Sequence, residues 1–475
     1  MSPPPTIDAN AAALPPVVRA QSDAAIPPPR SWAATIAPAY LGVLAWFPLL
    51  DRLPAAAPTG AGVLARFASA CLGLIGCYGL LYLPQAMLGL RTRRRLGTLA
   101  AEVFGADGSE WIAGILYGAF AAVWGSVAIA YSVRLTLDGL VVWGLLGADT
   151  LRSTSLGGLA LEGPLALVAL AFWTFIIASA NGLGLMGVIT AMMKVYSPFA
   201  ACLLVGAAFW SWLAPHPGIG PGVRGASMSL EPRTFQYVFS AFAFAGVLGV
   251  EWGGVVRDRR DVRLGGWMGI LVPGAATCLS ALVLAASGPY GSIRDALRDG
   301  LGGAIGPRPA GGLLLLFGLA SLAPACYAAP VFTERFRGHW PALSRWKGVG
   351  VGSLLLFLPG ATGLAWRVES IATISGAVFA SLAGVLTVLG IRRRGSRPLA
   401  RGLKCPGVAA WGLGVLVGLA PLAGEIAEVA WLQTLQPAAL LAYLTSGLAS
   451  LAAIPFSPEG SSIGSSPAAV AETPS

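Results

Sequence analysis

Apolar residues come in runs of roughly 20, separated by clusters of Gly, Pro and charged residues. An α-helix of about 20 apolar residues crosses the hydrocarbon core of a bilayer. Cutting the pattern at the polar clusters therefore predicts twelve membrane-spanning helices, called spans one to twelve. They are 32–51, 61–90, 111–137, 164–180, 186–213, 235–256, 264–287, 310–332, 348–365, 369–391, 406–424 and 433–456.

Composition supports the same class of protein. Hydrophobic residues make up 56% of the 475 residues and charged residues only 11%, which is typical of a polytopic membrane protein. The net charge of +10 lies in the short gaps between spans and forms no basic helix face or tail, so we expect no nucleic-acid partner. We predict an all-α membrane domain over 31–456.

The two ends of the chain have a different composition. Residues 1–30 are rich in Pro and Ala and lack the pattern of a signal peptide. Residues 457–475 are rich in Ser, Pro and Gly. We predict that both segments are disordered cytoplasmic tails.

Lys and Arg are distributed unevenly between alternate gaps. With the N-terminus inside, nineteen of them fall in cytoplasmic gaps and nine in the opposite gaps and flanks. Positive charge concentrates on the cytoplasmic side of membrane proteins. We therefore expect a multi-pass protein of the cytoplasmic membrane, in contact with the lipid bilayer, with both termini cytoplasmic.

Two short amphipathic segments indicate an internal symmetry. RRRLGTLAAEVFG (93–105) follows span two, and SIRDALRDGLGGAIG (292–306) follows span seven, on the opposite predicted face. Elements five spans apart on opposite faces are typical of an inverted repeat, in which the first helix of each half is broken. Those helices are spans one and six. Gly42 and Pro48 interrupt the first, and the second carries four glycines between 246 and 254, although glycine in membrane helices also serves close packing.

Several stretches resemble the nucleobase-cation symporter family, in its cytosine permease branch, over about 37–395. They are YLPQAMLGLRTRRRLGTLAAEVFGADGSEW near span two, AAVWGSVAIAY in span three, GVEWGGVVRDRRDVR in span six and APACYAAPVFTERFRGHWPALSRW at span eight. The resemblance implies a LeuT-like fold of twelve helices. Its five-plus-five inverted repeat would comprise 32–213 and 235–391, followed by two extra helices over 406–456.

The resemblance also implies positions for the site. Trp124 and Trp252 would be the two aromatic walls of a base-sized slot, with Gly249 beside them, and the family's aspartate would fall on Asp261. Ala128 stands where an amide commonly follows the span-three tryptophan. The span-eight part of the site falls on Ala325 and Cys326, where the family has an asparagine.

Glu251 is the acidic residue that lies well inside a predicted span. A charge at the bilayer centre costs about 2.5–3.5 kcal/mol, so we expect this carboxylate to face a cavity, pair with a cation or be protonated. It is the first candidate for binding substrate or coupling protons. The alternative is a position near the inner interface, neutralised by Arg257 or a neighbouring arginine.

Ion coupling and gating have weaker sequence signals. A sodium site would need carbonyls of an unwound span one and a hydroxyl of span eight, where Ser321 is available. We expect H⁺ or Na⁺ as coupling ion, or no coupling. We expect no cofactor and no metal site, since no metal-ligand spacing occurs. Asp258, Asp261 and Arg263 are predicted to form a gating salt-bridge cluster, with a solvated loop as the alternative.

These observations predict a secondary active transporter that moves a small planar nitrogenous solute, such as a nucleobase, by alternating access. An amino-acid or amine transporter on the same fold is the first alternative, because helix ends can hold a carboxylate. A transporter-derived receptor without coupled transport is another. We predict that the protein is not an enzyme, because His216 and His339 lie on opposite predicted sides and no catalytic constellation is found.

Overall fold

The structure is a computed structural model of the chain. It describes residues 14–15, 18–19, 28–55, 62–151, 154–156, 159–161, 163–182, 186–213, 230–286, 290, 292–301, 305–322, 344–392, 399 and 402–453. Within these residues the protein is almost entirely helical. One short antiparallel hairpin, β1 (Thr154–Leu156) with β2 (Leu159–Leu161), lies between spans three and four.

The helices follow the predicted spans in order. They are α1 (Ile36–Leu44), α2 (Phe47–Arg52), α3 (Val63–Thr92), α4 (Leu96–Ser109), α5 (Tyr117–Val142), α6 (Pro164–Gly182), α7 (Met186–Leu213), α8 (Pro232–Val247), α9 (Gly249–Gly254), α10 (Arg259–Ala286), α11 (Ile293–Asp295), α12 (Pro307–Leu322), α13 (Arg345–Ala361), α14 (Val368–Arg392), α15 (Cys405–Ile426), α16 (Ala430–Gln433) and α17 (Ala438–Ala453). π-helical turns lie at Cys77–Tyr82, Glu110–Leu116, Trp267–Leu271 and Ala296–Leu301.

Five helical segments in the described part of the chain are long and apolar enough to cross a membrane; the second is kinked at Gly105, where φ is 75°. They are Val63–Thr92, Leu96–Val142, Arg259–Ala286, Val368–Arg392 and Cys405–Ile426. Spans one and six are each built from two shorter pieces, α1 with α2 and α8 with α9. Among the five, Val368–Arg392 is the most buried and Cys405–Ile426 the least, so span ten lies inside the bundle and span eleven at its edge.

Contacts between distant segments define one end of the bundle, here called the Arg93 end. The guanidinium of Arg93 donates to the carbonyls of Gly254 and Val256, each at 2.7 Å. Nearby, the N–H of Leu96 donates to the carboxylate of Glu251. The segment after span two and the end of span six therefore meet here, at the predicted cytoplasmic face.

The opposite end, here called the Asp51 end, is defined in the same way. The backbone N–H of Arg294 donates to Asp51 at 2.8 Å, and its side chain approaches Asp138. Thus α4 lies at the Arg93 end, and α11 with the turn after it lies at the Asp51 end. The two amphipathic segments occupy opposite ends, as the inverted repeat predicts.

Aromatic rings join spans three, six and ten near the middle of the bundle. Tyr117 of span three stacks on Phe244 of span six with ring centroids 4.4 Å apart. Phe379 of span ten meets both rings edge-on, at 5.4 and 5.1 Å. Edge-to-face and offset-stacked pairs are the favoured geometries of aromatic side chains. This cluster fixes the relative height of the three spans.

The glycines of span six serve helix packing. A Cβ atom on Gly253 would overlap the carbonyl oxygen of Ala86 in span two, and one on Gly89 would overlap the carbonyl oxygen of Val250. At Gly249 a Cβ would lie 3.1 Å from that of Gln85. Small residues let membrane helices approach backbone to backbone, and this contact explains why the segment is so rich in glycine.

Span six is a nearly continuous helix, in contrast to the predicted break. Only Leu248, with a ψ of −11°, separates α8 from α9. The N–H of Trp252 still donates to the carbonyl of Leu248 at 3.1 Å, so helical hydrogen bonding resumes at once. Span one, by contrast, is interrupted between Gly42 and Pro48, as predicted.

We predict that Gly253→Val destabilises the protein, because the added side chain has no room between spans two and six. Overpacking of this kind costs about 1–3 kcal/mol. The midpoint of thermal unfolding in detergent should fall clearly below that of the unmodified protein. Gly412→Val is the matched control, since nothing lies within 4 Å of a Cβ placed there. Equal midpoints for the two variants would contradict the packing role.

Candidate solute site at the break in span one

The helix of span one is interrupted at two residues. Helix α1 ends at Leu44, Ala45 has φ −88° and ψ 6°, and Trp46 is extended with φ −74° and ψ 115°. Helix α2 then begins at Phe47, and Pro48 stands in its first turn. Proline suits the start of a helix because its missing N–H would have no intrahelical partner there. The sequence therefore ends one helix and begins another.

Neighbouring spans hold the two halves of span one in place. The carbonyl of Leu44, the last of α1, accepts from Thr277 of span seven at 3.0 Å. Tyr40 donates to a carbonyl of span six, and Tyr237 of span six donates to the carbonyl of Leu49 in α2. A break inside a membrane protein leaves backbone groups without helical partners. Side chains of spans six and seven supply some of those partners.

An aromatic pair lies at the break. The rings of Trp46 and Trp124 are 5.5 Å apart at 63°, which is an edge-to-face arrangement. Both side chains are 6% exposed. The indole N–H of Trp124 donates to Ser375 of span ten at 3.4 Å, a long hydrogen bond. Spans one, three and ten therefore converge on two buried indoles.

Few polar groups lie beside the Trp46–Trp124 pair, and they make few strong hydrogen bonds. Within the described residues, the indole nitrogen of Trp46 has no hydrogen-bond partner. A buried donor without a partner costs free energy, so this N–H favours a bound acceptor. The sequence has no charged residue in 31–50 of span one, 111–133 of span three or 370–391 of span ten. The arrangement suits a neutral, flat solute with hydrogen-bond acceptors.

A small cavity lies beside the same break. It is lined by residues of span one, including Gly42 and Trp46, by Ala200 of span five, and by Ala320 and Ser321 of span eight. The Ser321 hydroxyl is buried and has no hydrogen-bond partner among the described residues. The structure thus brings Ser321 next to the interrupted backbone of span one, the two elements that a sodium site would need.

Glu251 occupies a different place from the one expected for a substrate ligand. Its Oε1 accepts a hydrogen bond of 2.9 Å from the N–H of Leu96, the first residue of α4. A carboxylate at a helix N-terminus is stabilised by the free N–H groups and by the helix dipole. Glu251 therefore caps a helix at the Arg93 end. This placement resembles the alternative named in the sequence analysis, a position near the inner interface.

The structure separates Trp124 from Trp252. Trp124 lies seven residues beyond Tyr117 toward the Asp51 end, and Trp252 lies eight residues beyond Phe244 toward the Arg93 end. Because Tyr117 and Phe244 stack, the helical rise places the two tryptophans roughly 20 Å apart along the bundle. They cannot be two walls of one slot in this conformation. The indole ring that lies next to Trp124 is that of Trp46, whereas Trp252 lies 6.5 Å from Tyr40.

Three acidic side chains are more buried than Glu251. Asp51, Glu102 and Asp138 are 1–2% exposed, whereas Glu251 is only partly buried. The sequence signal fails here because Asp51 and Asp138 stand at the ends of apolar runs. Contacts between separate segments bury them there. A position well inside a predicted span therefore does not make Glu251 the most buried of the described acidic residues.

The remaining predicted residues are placed as follows. Asp258 accepts from the N–H of Asp261 at 2.8 Å and so caps α10. No ion pair joins Asp258 or Asp261 to Arg263 within the described residues, and Arg263 is exposed. In this conformation the three residues form no salt-bridge cluster, and Asp258 serves as a helix cap. Ala325 and Cys326 lie outside the described residues. No group of three metal ligands occurs in the described part of the chain.

Comparison with solved structures identifies the fold. Mhp1 in an inward-facing conformation superposes with a TM-score of 0.65 at 15% identity, over 90% of this chain and 92% of that chain. Mhp1, a nucleobase-cation-symport-1 family transporter, in a closed conformation with bromovinylhydantoin bound, gives 0.62 at 13% identity over 91% and 95%. MhsT in complex with L-phenylalanine gives 0.54 at 15% identity over 88% and 97%.

The chain has the LeuT-like fold. The match to Mhp1 covers about nine-tenths of both chains, so the likeness in fold extends over nearly the whole helical bundle. Together with the apolar helices, it makes the chain a multi-pass membrane protein. No family model matches the sequence, and no curated protein matches it.

We predict that Glu251→Leu lowers stability by about 1–3 kcal/mol, because it leaves the N-terminus of α4 without its carboxylate. Glu251→Gln should cost less, since its amide oxygen still accepts from Leu96. Thermal unfolding in detergent measures both effects. A Gln variant with unchanged stability that no longer binds any solute bound by the unmodified protein would instead make Glu251 a substrate ligand.

Proposed function

We propose that the protein is a secondary active transporter that moves a small planar nitrogenous solute by alternating access. The observation that carries the proposal is the break in span one, with Trp46 and Trp124 buried beside it. The LeuT-like fold supports it, because transporters built on inverted repeats bind solutes near mid-membrane at discontinuous helices. The solute would bind between spans one, three and ten.

The chemistry of this place favours a nucleobase or a related heterocycle. Indole faces stack on flat π-systems, and Trp46 offers a buried N–H to a ring nitrogen or carbonyl acceptor. No charged side chain of spans one, three or ten lies at this level, so a neutral ring is favoured over an ion. The similarity to Mhp1, which has been described with bromovinylhydantoin bound, supports the same class of solute.

Coupling to a cation is the finer part of the proposal. Sodium prefers oxygen ligands, and the cavity next to Ser321 adjoins the interrupted backbone of span one. The indole N–H of Trp46 is a donor and contributes nothing to a cation. Ser321 is therefore the side-chain ligand that we assign to a sodium ion there, while proton coupling would leave this cavity without an ion.

An amino acid is the second candidate solute. MhsT, of similar fold, has been described in complex with L-phenylalanine, and an interrupted span one exposes backbone N–H groups to a carboxylate. The two candidates differ in charge. An amino acid needs ligands for both of its charged groups, whereas a heterocycle needs stacking and neutral hydrogen bonds.

We predict that Trp124→Ala and Trp46→Ala each weaken binding of the transported solute by about tenfold or more, because base stacking on an aromatic ring contributes about 1–3 kcal/mol. The solute is identified first by uptake of radiolabelled purines, pyrimidines, hydantoins and amino acids into proteoliposomes. Binding of the selected solute is then measured with each variant in detergent. Trp252→Ala and the exposed Trp210→Ala should bind like the unmodified protein.

Three outcomes would contradict the proposed site or solute. If Trp252→Ala abolishes binding while Trp46→Ala has no effect, the site lies at the Arg93 end and the assignment to the break in span one is wrong. Uptake of amino acids without any heterocycle would favour the second candidate. A folded protein that transports none of these compounds would contradict the proposed substrate class.

We predict that Ser321→Ala removes any stimulation of uptake by a sodium gradient. Ser353→Ala is the control, because its hydroxyl already donates to the carbonyl of Val349 within its own helix. Uptake should be measured with sodium and proton gradients imposed separately. Sodium stimulation that survives Ser321→Ala would show that the ion binds elsewhere.

A further inference from the structure

Arg294, in the loop helix after span seven, contacts two different spans at the Asp51 end. Its backbone N–H donates to Asp51 Oδ1 at 2.8 Å, and its Nε lies 3.7 Å from Asp138 Oδ2. Asp51 belongs to α2 of span one, and Asp138 belongs to α5 of span three. A single loop residue therefore ties span one to span three.

Both carboxylates are buried and have further partners. Asp51 is 2% exposed and also accepts from the Tyr131 hydroxyl at 3.3 Å. Asp138 is 1% exposed and lies 3.4 Å from Arg134, one helical turn before it. Loss of the contact to Arg294 would leave each buried carboxylate with fewer compensating partners, which is unfavourable for a buried charge. The contacts to Arg294 therefore favour the closed arrangement of these segments.

The contacts close the space between spans one and three. Tyr131 of span three connects the two spans a second time, since Arg52 donates to its hydroxyl at 3.2 Å. Trp366, in the turn before span ten, packs on the ring of Tyr131 at 4.7 Å. Beneath this layer, seven residues along span three from Tyr131, lies Trp124.

We propose that Arg294 is a two-point clamp that keeps the Asp51 end closed over the break in span one. This inference rests on the proposed function, since alternating access requires spans one and three to separate at this end. Separation breaks either the hydrogen bond to Asp51 or the ion pair with Asp138, depending on which span keeps the loop. Weakening either contact favours the form open at the Asp51 end.

The clamp can be tested without any solute. Spin labels are attached at Ala55→Cys beyond span one and Leu145→Cys beyond span three, both exposed positions, after replacement of the six native cysteines. Pulsed electron spin resonance in lipid nanodiscs then gives the distance distribution between the labels. The labelled protein with Arg294, Asp51 and Asp138 intact should give mainly one short distance between the labels.

Variants separate the two contacts. Arg294→Ala keeps the backbone N–H to Asp51 but loses the ion pair with Asp138, and Asp138→Asn weakens the same pair from the other side. Each should raise the ratio of long to short distances about tenfold, as expected for loss of a partly buried ion pair. Asp51→Leu tests the other contact, and Asp51→Asn, which keeps an acceptor oxygen, should have a smaller effect. Arg308→Ala is the control at the same end.

The outcomes divide as follows. Long distances in the Arg294 and Asp51 variants, with Arg308→Ala unchanged, support the clamp even if no transported solute is ever found. Distributions identical to that of the unmodified protein in Arg294→Ala, Asp138→Asn and Asp51→Leu would overturn it. Elution as a single species in size-exclusion chromatography identifies the variants that are folded, and Asp51→Asn is the conservative variant should Asp51→Leu fail this criterion.

Discussion

The structure depends on one constraint of the bilayer: every backbone N–H and C=O in the hydrocarbon core needs a partner. An unbroken helix meets this constraint by itself, whereas a broken helix relies on its neighbours. Span one is broken at Ala45 and Trp46, and Thr277, Tyr40 and Tyr237 connect its two halves to spans six and seven. The interruption is thus supported by specific side chains, and it creates a polar place between apolar helices.

The same constraint explains the different roles of the proline-containing segment in span one and the glycine-rich segment in span six. In span one, Pro48 follows an extended residue and begins a new helix. In span six, Gly249 and Gly253 keep nearly helical backbone and allow span two to approach. Both patterns look alike in the sequence, because glycine serves unwinding and close packing equally. Contacts with Ala86 and Gln85 are needed to distinguish them.

The sequence predicted the fold well and the site less well. Hydropathy and charge give the helix positions because each span must satisfy its own hydrogen bonds. The opposite placement of the segments around Leu96 and Arg294 follows from span order. Trp46 was not among the predicted site residues, because an aromatic residue near a proline has no distinctive pattern. The burial of Asp51 results from a loop 243 residues away, which no local property of the sequence indicates.

The central claim is that the break in span one, flanked by Trp46 and Trp124, is where solute binds. An electron cryo-microscopy map of the protein in nanodiscs, saturated with its transported solute, tests it most directly. The account predicts non-helical density at Ala45 and Trp46, with the solute against the rings of Trp46 and Trp124. A continuous span one, or solute density beside Glu251 and Trp252, would contradict it.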